Sequence, residues 1–269
     1  MFLRYKGKAW EEKFLPRLTS HEIRDLDKED ALVVLSIGAV EQHGAHLPVM
    51  TDSLIGESTL TDVFEKLDAS ANIWMLPPIS YGKSNEHLGL PGTISLSAET
   101  LSGLVMDIAK SLKESGFRRL LLFNTHGGNT DLLLVVAREI RIVTDLMVFF
   151  ISPGSLNAAS DLLSEKELED GIHGGAYETS IVKSIKPCWV HDDLATSEFP
   201  DLTGLQYLTV EGKIRFAWKM TDISRSGIAG DATIATAQMG ATIQERISDM
   251  LADAFVEMAS FEITQIVNP

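Results

Sequence analysis

Apolar runs and amphipathic stretches alternate along this chain. Residues 32–37 (LVVLSI) are apolar except at Ser36 and read as a buried strand. Residues 52–67 (DSLIGESTLTDVFEKL) space their apolar side chains along one helical face. Residues 72–76 form a short strand stopped by Pro77 and Pro78. Residues 79–97 are loop-like, punctuated by Gly82, Gly89, Pro91 and Gly92. Ser97 is placed to cap a helix that runs to about residue 115 and stops at Gly116. A second buried strand covers 119–124 (RLLLFN), a helix 131–143, a third long strand 146–151, and a terminal helix 231–260 with Gly240 as its one weak point. Strands separated by helices imply an α/β fold with a mainly parallel central sheet covered on both faces.

Composition narrows the class. The chain has 269 residues, 45% hydrophobic and 23% charged, which is ordinary for a globular protein. No linker, low-complexity run or fixed-period repeat divides it, so residues 1–269 are expected to form one domain. The net charge of −15 argues against nucleic acid, because binding phosphates requires a Lys/Arg surface. No apolar run approaches a membrane span, and Met1–Lys8 lacks a signal-peptide apolar core. Cys188 is the only cysteine, which suits a reducing, cytoplasmic setting. With no base beside it in sequence, Cys188 is expected to be an inert, packed thiol.

The chemistry is concentrated where strands end. Directly after the first strand, Glu41, His43, His46 and Asp52 place two carboxylates and two imidazoles within twelve residues. That edge of an open α/β sheet is where ligands bind. Glu41 and His43, two apart, share one side of an extended backbone. Asp52 opens the next helix, either as a cap or as a carboxylate able to bridge two ions. His46, beside Leu47-Pro48, is expected in a turn. After the second buried strand, Asn124-Thr125-His126-Gly127-Gly128-Asn129 brings His126 to the same edge, with two glycines that let the backbone approach a ligand. In His173-Gly174-Gly175-Ala176-Tyr177-Glu178, Glu178 is a candidate ligand or proton carrier, and His173 is a candidate for proton transfer or substrate contact. The loop Ser80–Thr93 offers Ser84, Glu86 and His87 to a substrate or a neighbouring subunit. Gly227–Asp231 is a further possible site loop.

Together these segments resemble the creatininase (creatinine amidohydrolase) family. The resemblance runs from Glu41–Asp52, through Tyr81-Gly82 and Pro91–Leu96, to Asn124–Asn129, His173–Ser180 and Gly227–Asp231. It implies a three-layer α/β/α fold, a site for two divalent ions per chain (Zn, Mn or Fe) and a homo-oligomer, usually a hexamer. It also implies hydrolysis of C–N bonds. Carried over by motif, Glu41, Asp52 and His126 would hold one ion, and His43, the shared Asp52 and Glu178 the other. Gly127, Gly128 and Asn129 would face substrate, and His173 would serve acid–base chemistry.

The sequence departs from creatininase itself, which has Tyr and Glu after the metal histidine of the second motif where this chain has Gly127 and Gly128. It also has Glu169 before Asp170 where that enzyme has a substrate-binding Trp. A substrate other than creatinine is therefore expected. The sequence reading is an amidohydrolase that uses a hydroxide shared by two ions about 3.5–4 Å apart to cleave an amide, formamide or lactam. The alternatives are a peptidase of the mycofactocin-maturation type and a non-catalytic binding protein on the same fold.

Overall fold

The computed structural model describes residues 5–267. Met1–Arg4 of the segment read for a signal peptide, and the last two residues, lie outside them. Two short helices, α1 (Lys8–Glu11) and α2 (Ser20–Asp25), lead into β1 (Leu32–Ile37), α3 (Thr51–Lys66), β2 (Ile73–Met75), α4 (Ala98–Glu114), β3 (Arg119–Asn124), α5 (Thr130–Thr144) and β4 (Met147–Ile151). Then follow α6 (Glu165–Asp170), α7 (Ala176–Ile185), β5 (Ser197–Glu198), α8 (Met220–Ile223), β6 (Gly230–Asp231) and α9 (Ala237–Ser260). From β1 to β4 each element begins and ends within one residue of the span read from the sequence. Ser97 caps α4 by accepting the Thr100 N–H, and Gly116 follows the helix at φ +92°.

The main sheet is parallel throughout, in the order β2-β1-β3-β4. Successive strand residues face opposite layers. Leu32 and Val34 pack with Leu54 of α3, Ile181 of α7 and Phe255 of α9. Val33 and Leu35 pack with Leu101 and Val105 of α4 and Ile140 of α5. Burying each such side chain contributes about 1.5–3 kcal/mol, so the two layers hold the sheet from both sides. The register pairs Ile37 with Asn124, the last residues of β1 and β3. Both strands therefore release their following loops at one edge.

Helix α3 is buried over its first ten residues, and small side chains allow that. A Cβ at Gly56 would lie 2.9 Å from Thr125 Oγ1 and 3.0 Å from Ser36 Oγ. Ser53 Oγ donates within 3.0 Å of the carbonyls of Ala39 and Ser80, and Thr125 Oγ1 donates to the Asp52 carbonyl at 2.9 Å. These ties fix the start of α3 against the ends of β1 and β3.

Two expectations are corrected. The terminal helix begins at Ala237, capped by Thr236 accepting the Met239 N–H. Gly230 and Asp231 instead form β6, antiparallel to β5, and the Asp231 side chain accepts from Thr233 N, turning the chain before the helix. Cys188 is exposed rather than packed, because it sits in a 3₁₀ turn at Pro187–Trp189 outside the core. Among the described residues no helix is long and apolar enough to cross a membrane.

Candidate metal centre

The Glu41 N–H donates to the Val49 carbonyl at 2.8 Å. This closes the loop after β1 and turns Asp52, in the first turn of α3, back toward His43. Asp52 lies between two imidazoles, with Oδ1 3.4 Å from His43 Nε2 and Oδ2 3.5 Å from His126 Nδ1. On the far side of His126, Nε2 is 3.3 Å from Glu41 Oε2 and 3.4 Å from Glu86 Oε1. Glu178, in the first turn of α7, places Oε1 3.8 Å from His43 Nε2, while its Oε2 accepts the Gly174 N–H at 2.6 Å. His173 Nδ1 is 3.6 Å from Glu41 Oε1, and its ring lies 4.2 Å from that of His43 and 4.4 Å from that of His87. The clusters after β1 and β3, the loop before α7 and the Ser80–Thr93 loop thus converge on one point.

Three overlapping sets have the donor chemistry to hold a cation: Glu41, Glu86 and His126; His43, Asp52 and Glu178; and Glu41, His43 and His173. Both Glu41 oxygens, Asp52 Oδ2 and His43 Nε2 are buried without a hydrogen-bond partner. Such groups are costly to leave bare. The His43 tautomer sharpens the point. Its Nδ1 faces the Glu41 carbonyl at 3.0 Å and donates to it, so Nε2 turns a lone pair toward two carboxylates. A proton or a metal ion has to stand between them, and mixed carboxylate–imidazole donors suit a divalent ion.

The charges respond to this crowding. Burial, with Asp52 close by, pushes Glu41 up to about 7. Burial depresses His126, but Glu41, Glu86 and Asp52 outweigh it and carry it to about 9. For His43 burial is again outweighed, here by Asp52 and Glu178, which raise it well above its ordinary value. Burial pushes Glu86 up, yet the contact with His126 holds it near 2. His173 falls well below its usual range through burial and the neighbouring His43 and His87. It stays a neutral imidazole, as does His87, which burial pushes down to about 4.

Several expected substrate contacts have other work. Asn129 is buried. Its Oδ1 accepts Lys83 N at 2.8 Å, and its Nδ2 donates to the Gly38 carbonyl at 3.1 Å and to Asn124 Oδ1. It braces three loops, and its side chain is spent. Ser84 and His87 are also buried. Ser84 Oγ lies 3.3 Å from His126 Nε2, and His87 Nε2 lies 3.5 Å from Glu41 Oε1. The Ser80–Thr93 loop closes onto the cluster from inside instead of reaching outward, because Leu96 N–H and Ile94 N–H are held by the Gly82 and Val40 carbonyls. Gly127 borders open space. Gly128 is crowded by Glu86. Glu169 is exposed on α6. The nearby buried acid is Glu167, which accepts Ala176 N at 2.5 Å and Asp231 N at 2.7 Å and pins the start of α7 to β6.

Gln42 and His46 take structural roles that spacing alone does not reveal. Gln42 Nε2 donates to the Gly227 carbonyl at 2.8 Å and reaches His87 Nδ1 at 3.0 Å, and its carbonyl accepts His173 Nε2–H at 2.7 Å. Gln42 lies between Glu41 and His43, and that position is the signal that could have found it. His46 is buried, with Nε2 2.9 Å from Thr179 Oγ1, so it braces α7 and is more than a turn residue. The Gly227–Asp231 loop clamps the site: Ala229 pairs with His173 through two backbone bonds, and Gly227 at φ +86° passes within 2.4 Å, from an added Cβ, of Gln42 Oε1.

Comparison with known proteins agrees with this geometry. The creatininase (creatinine amidohydrolase) family model matches residues 16–255. The mycofactocin precursor peptide peptidase of Mycolicibacterium smegmatis is 29% identical over 232 residues, 86% of each chain. The creatinine amidohydrolase of Pseudomonas putida is 31% identical over 187 residues, 64% of this chain and 70% of that one. A solved manganese form of creatininase superposes with a TM-score of 0.76 at 28% identity, covering 93% of this chain and 100% of the other.

Proposed function

The chain belongs to the creatininase family, and from that premise we propose that it is a dinuclear metal-dependent amidohydrolase acting on a non-peptide C–N bond of a small molecule. The observation that carries the proposal is Asp52, with one oxygen toward His43 and the other toward His126, among buried carboxylate atoms that have no partner. Asp52 would be shared, with Glu41 and His126 holding one ion and His43 and Glu178 the other, the ions being Zn, Mn or Fe. Held by these residues, divalent ions would supply Lewis acidity that lowers the pKa of water toward about 7 and polarises a carbonyl.

The protein's own groups do the rest. His173 Nε2–H is tied to the Gln42 carbonyl, so Nδ1 is the free nitrogen and faces Glu41. That neutral imidazole can take a proton at Nδ1 and release it to a leaving nitrogen. Gly127, bordered by open space, leaves room for the substrate carbonyl beside His126.

A second reading, peptide cleavage, is supported by the peptidase relative, which aligns over 86% of both chains. The two are separated by assaying metal-loaded protein on formamides, lactams, creatinine and short peptides, with phosphoesters as controls. Turnover of a formamide or lactam, lost on chelation, is expected. Creatinine as the best substrate, or peptides as the only ones, would overturn the primary reading. Metal analysis gives an independent check: close to two ions per chain, and neither retained by Asp52→Ala.

A further inference from the structure

We infer that Glu86 is a metal ligand: it completes, from the Ser80–Thr93 loop, the ion site built by Glu41 and His126. The inference rests on the dinuclear reading above and goes beyond it, since the motif assignment leaves that ion only Glu41, His126 and the shared Asp52, and Asp52 meets His126 at Nδ1, the nitrogen opposite the one that Glu41 and Glu86 approach.

Three observations carry it. Glu86 Oε1 is 3.4 Å from His126 Nε2, whose other carboxylate neighbour is Glu41 Oε2 at 3.3 Å, and the three residues offer donor atoms close enough for one cation. The Glu41 carboxylate they share is fully buried and has no hydrogen-bond partner on either oxygen. This vacancy in polar pairing points to a ligand independently of Glu86. Third, the two Glu86 oxygens face different ways. Oε2 meets Lys83 Nζ at 3.2 Å, while Oε1 faces the cluster. A side chain that is only 13% exposed and turned inward is poorly placed to meet a substrate arriving from solvent.

The glycine pair explains how the carboxylate gets there. A Cβ at residue 128 would lie 2.0 Å from Glu86 Oε1, 2.5 Å from His126 Nε2 and 2.9 Å from the Lys83 carbonyl. Any side chain at that position would occupy the space the Glu86 carboxylate fills. Gly128 is therefore a vacancy made for Glu86, and the two positions act as one unit: glycine on the β3 loop, carboxylate on the facing loop. Ser84 and Lys83 position it, through the Ser84 N–H bond to Ser95 Oγ at 2.9 Å and the Lys83 N–H bond to Asn129.

The test is metal binding, read without substrate. Mn(II) and Co(II) would be titrated into metal-free protein, with the Co(II) absorption bands recorded. Wild type is expected to take two ions. Glu86→Gln, nearly isosteric, is expected to weaken one ion at least about tenfold, since loss of even an outer-shell partner typically costs 10–100-fold, and to shift the Co(II) bands. The other ion should keep its affinity. Asn85→Ala, at an exposed position of the same loop, should bind both ions as wild type does. If Glu86→Gln does not fold, Glu86→Asp decides, since the shorter carboxylate still loses affinity if Glu86 is a ligand. Two ions at wild-type affinity with unchanged Co(II) bands in the folded variant would overturn the assignment of Glu86 alone. A wild-type chain that takes up no divalent ion would sink the dinuclear reading, and this one with it.

Discussion

His173 and Glu178 stand five residues apart and face different neighbours. Glu178 turns one oxygen to His43 and ties the other to the Gly174 amide. His173 is held edge-on by Gln42 between two other imidazoles. His173→Ala is expected to keep both ions and the fold while the rate falls by about 10²–10⁴, the usual share of a general acid–base group. Glu178→Ala should lose the His43-side ion and activity together. Elemental analysis and rates on both variants decide; a His173→Ala protein that sheds an ion beside a Glu178→Ala protein that keeps both would reverse the roles. The cluster also sets a pH dependence. His126 and Glu41 are raised in the folded state, to about 9 and about 7. Raised groups stabilise the metal-free fold at low pH and lose that contribution as pH rises through their folded values. Glu86, held near 2, acts only in acid. The Glu41 share is lost between about pH 4.5 and 7, where the depressed His87 and His173 act the other way, and the His126 share between about pH 6.5 and 9; metal-free protein should therefore lose stability over that upper window, and ion binding should release protons. Denaturation midpoints across that range, and proton release in weakly buffered solution, test both. Stability that rises over this window would contradict the assignment.

At the scale of elements, the α7–α9 contact decides the sign of a glycine substitution. Gly240 lies in α9, where Ala normally stabilises by about 1 kcal/mol. An added Cβ there would sit 1.9 Å from the Ser180 carbonyl oxygen of α7, and overpacking typically costs about 1–3 kcal/mol. Gly240→Ala is expected to be net destabilising, and to disturb Glu178 through α7. Gly103→Ala, in α4 with nothing within 4 Å of the new Cβ, should be neutral or stabilising. Urea midpoints of the two variants are the comparison; a stabilised Gly240→Ala would show that the helices can move apart at no cost. What looked in the sequence like the weak point of a helix is a packing contact, and only the partner helix reveals it.

For the whole molecule, assembly is the open expectation. Val135, Ile142 and Val143 on α5 are 59%, 70% and 59% exposed, in two groups with the exposed Arg138 and Glu139 between them. Groups of exposed apolar side chains mark an interaction surface. A homo-oligomer is expected, with a mass by light scattering that is a multiple of the 29.5 kDa chain. Ile142→Glu should shift it toward that single-chain mass. A wild-type chain that runs as a monomer would leave these side chains without this role.

The elements of the sheet and their succession along the chain were determined by sequence alone, because β1, β3 and β4 are apolar runs and α4 and α5 carry one-sided apolar spacing, local signals that need no partner; the strand order β2-β1-β3-β4 was not. The metal-type residues were equally legible, since Glu41, His43 and Asp52 follow one strand and His126 follows another. The tertiary structure decided what distance in the chain hides. It brought Glu86 to His126 across 40 positions through the space left by Gly128, made a brace of Asn129, and set Gln42 between His87, His173 and Gly227. It also delayed the start of the last helix to Ala237, after the Thr236 cap, because the pairing of β5 with β6 outweighs a helical pattern that begins at Asp231. Each of these turns on a contact between segments remote in sequence, and hydrophobic periodicity carries no information about such contacts.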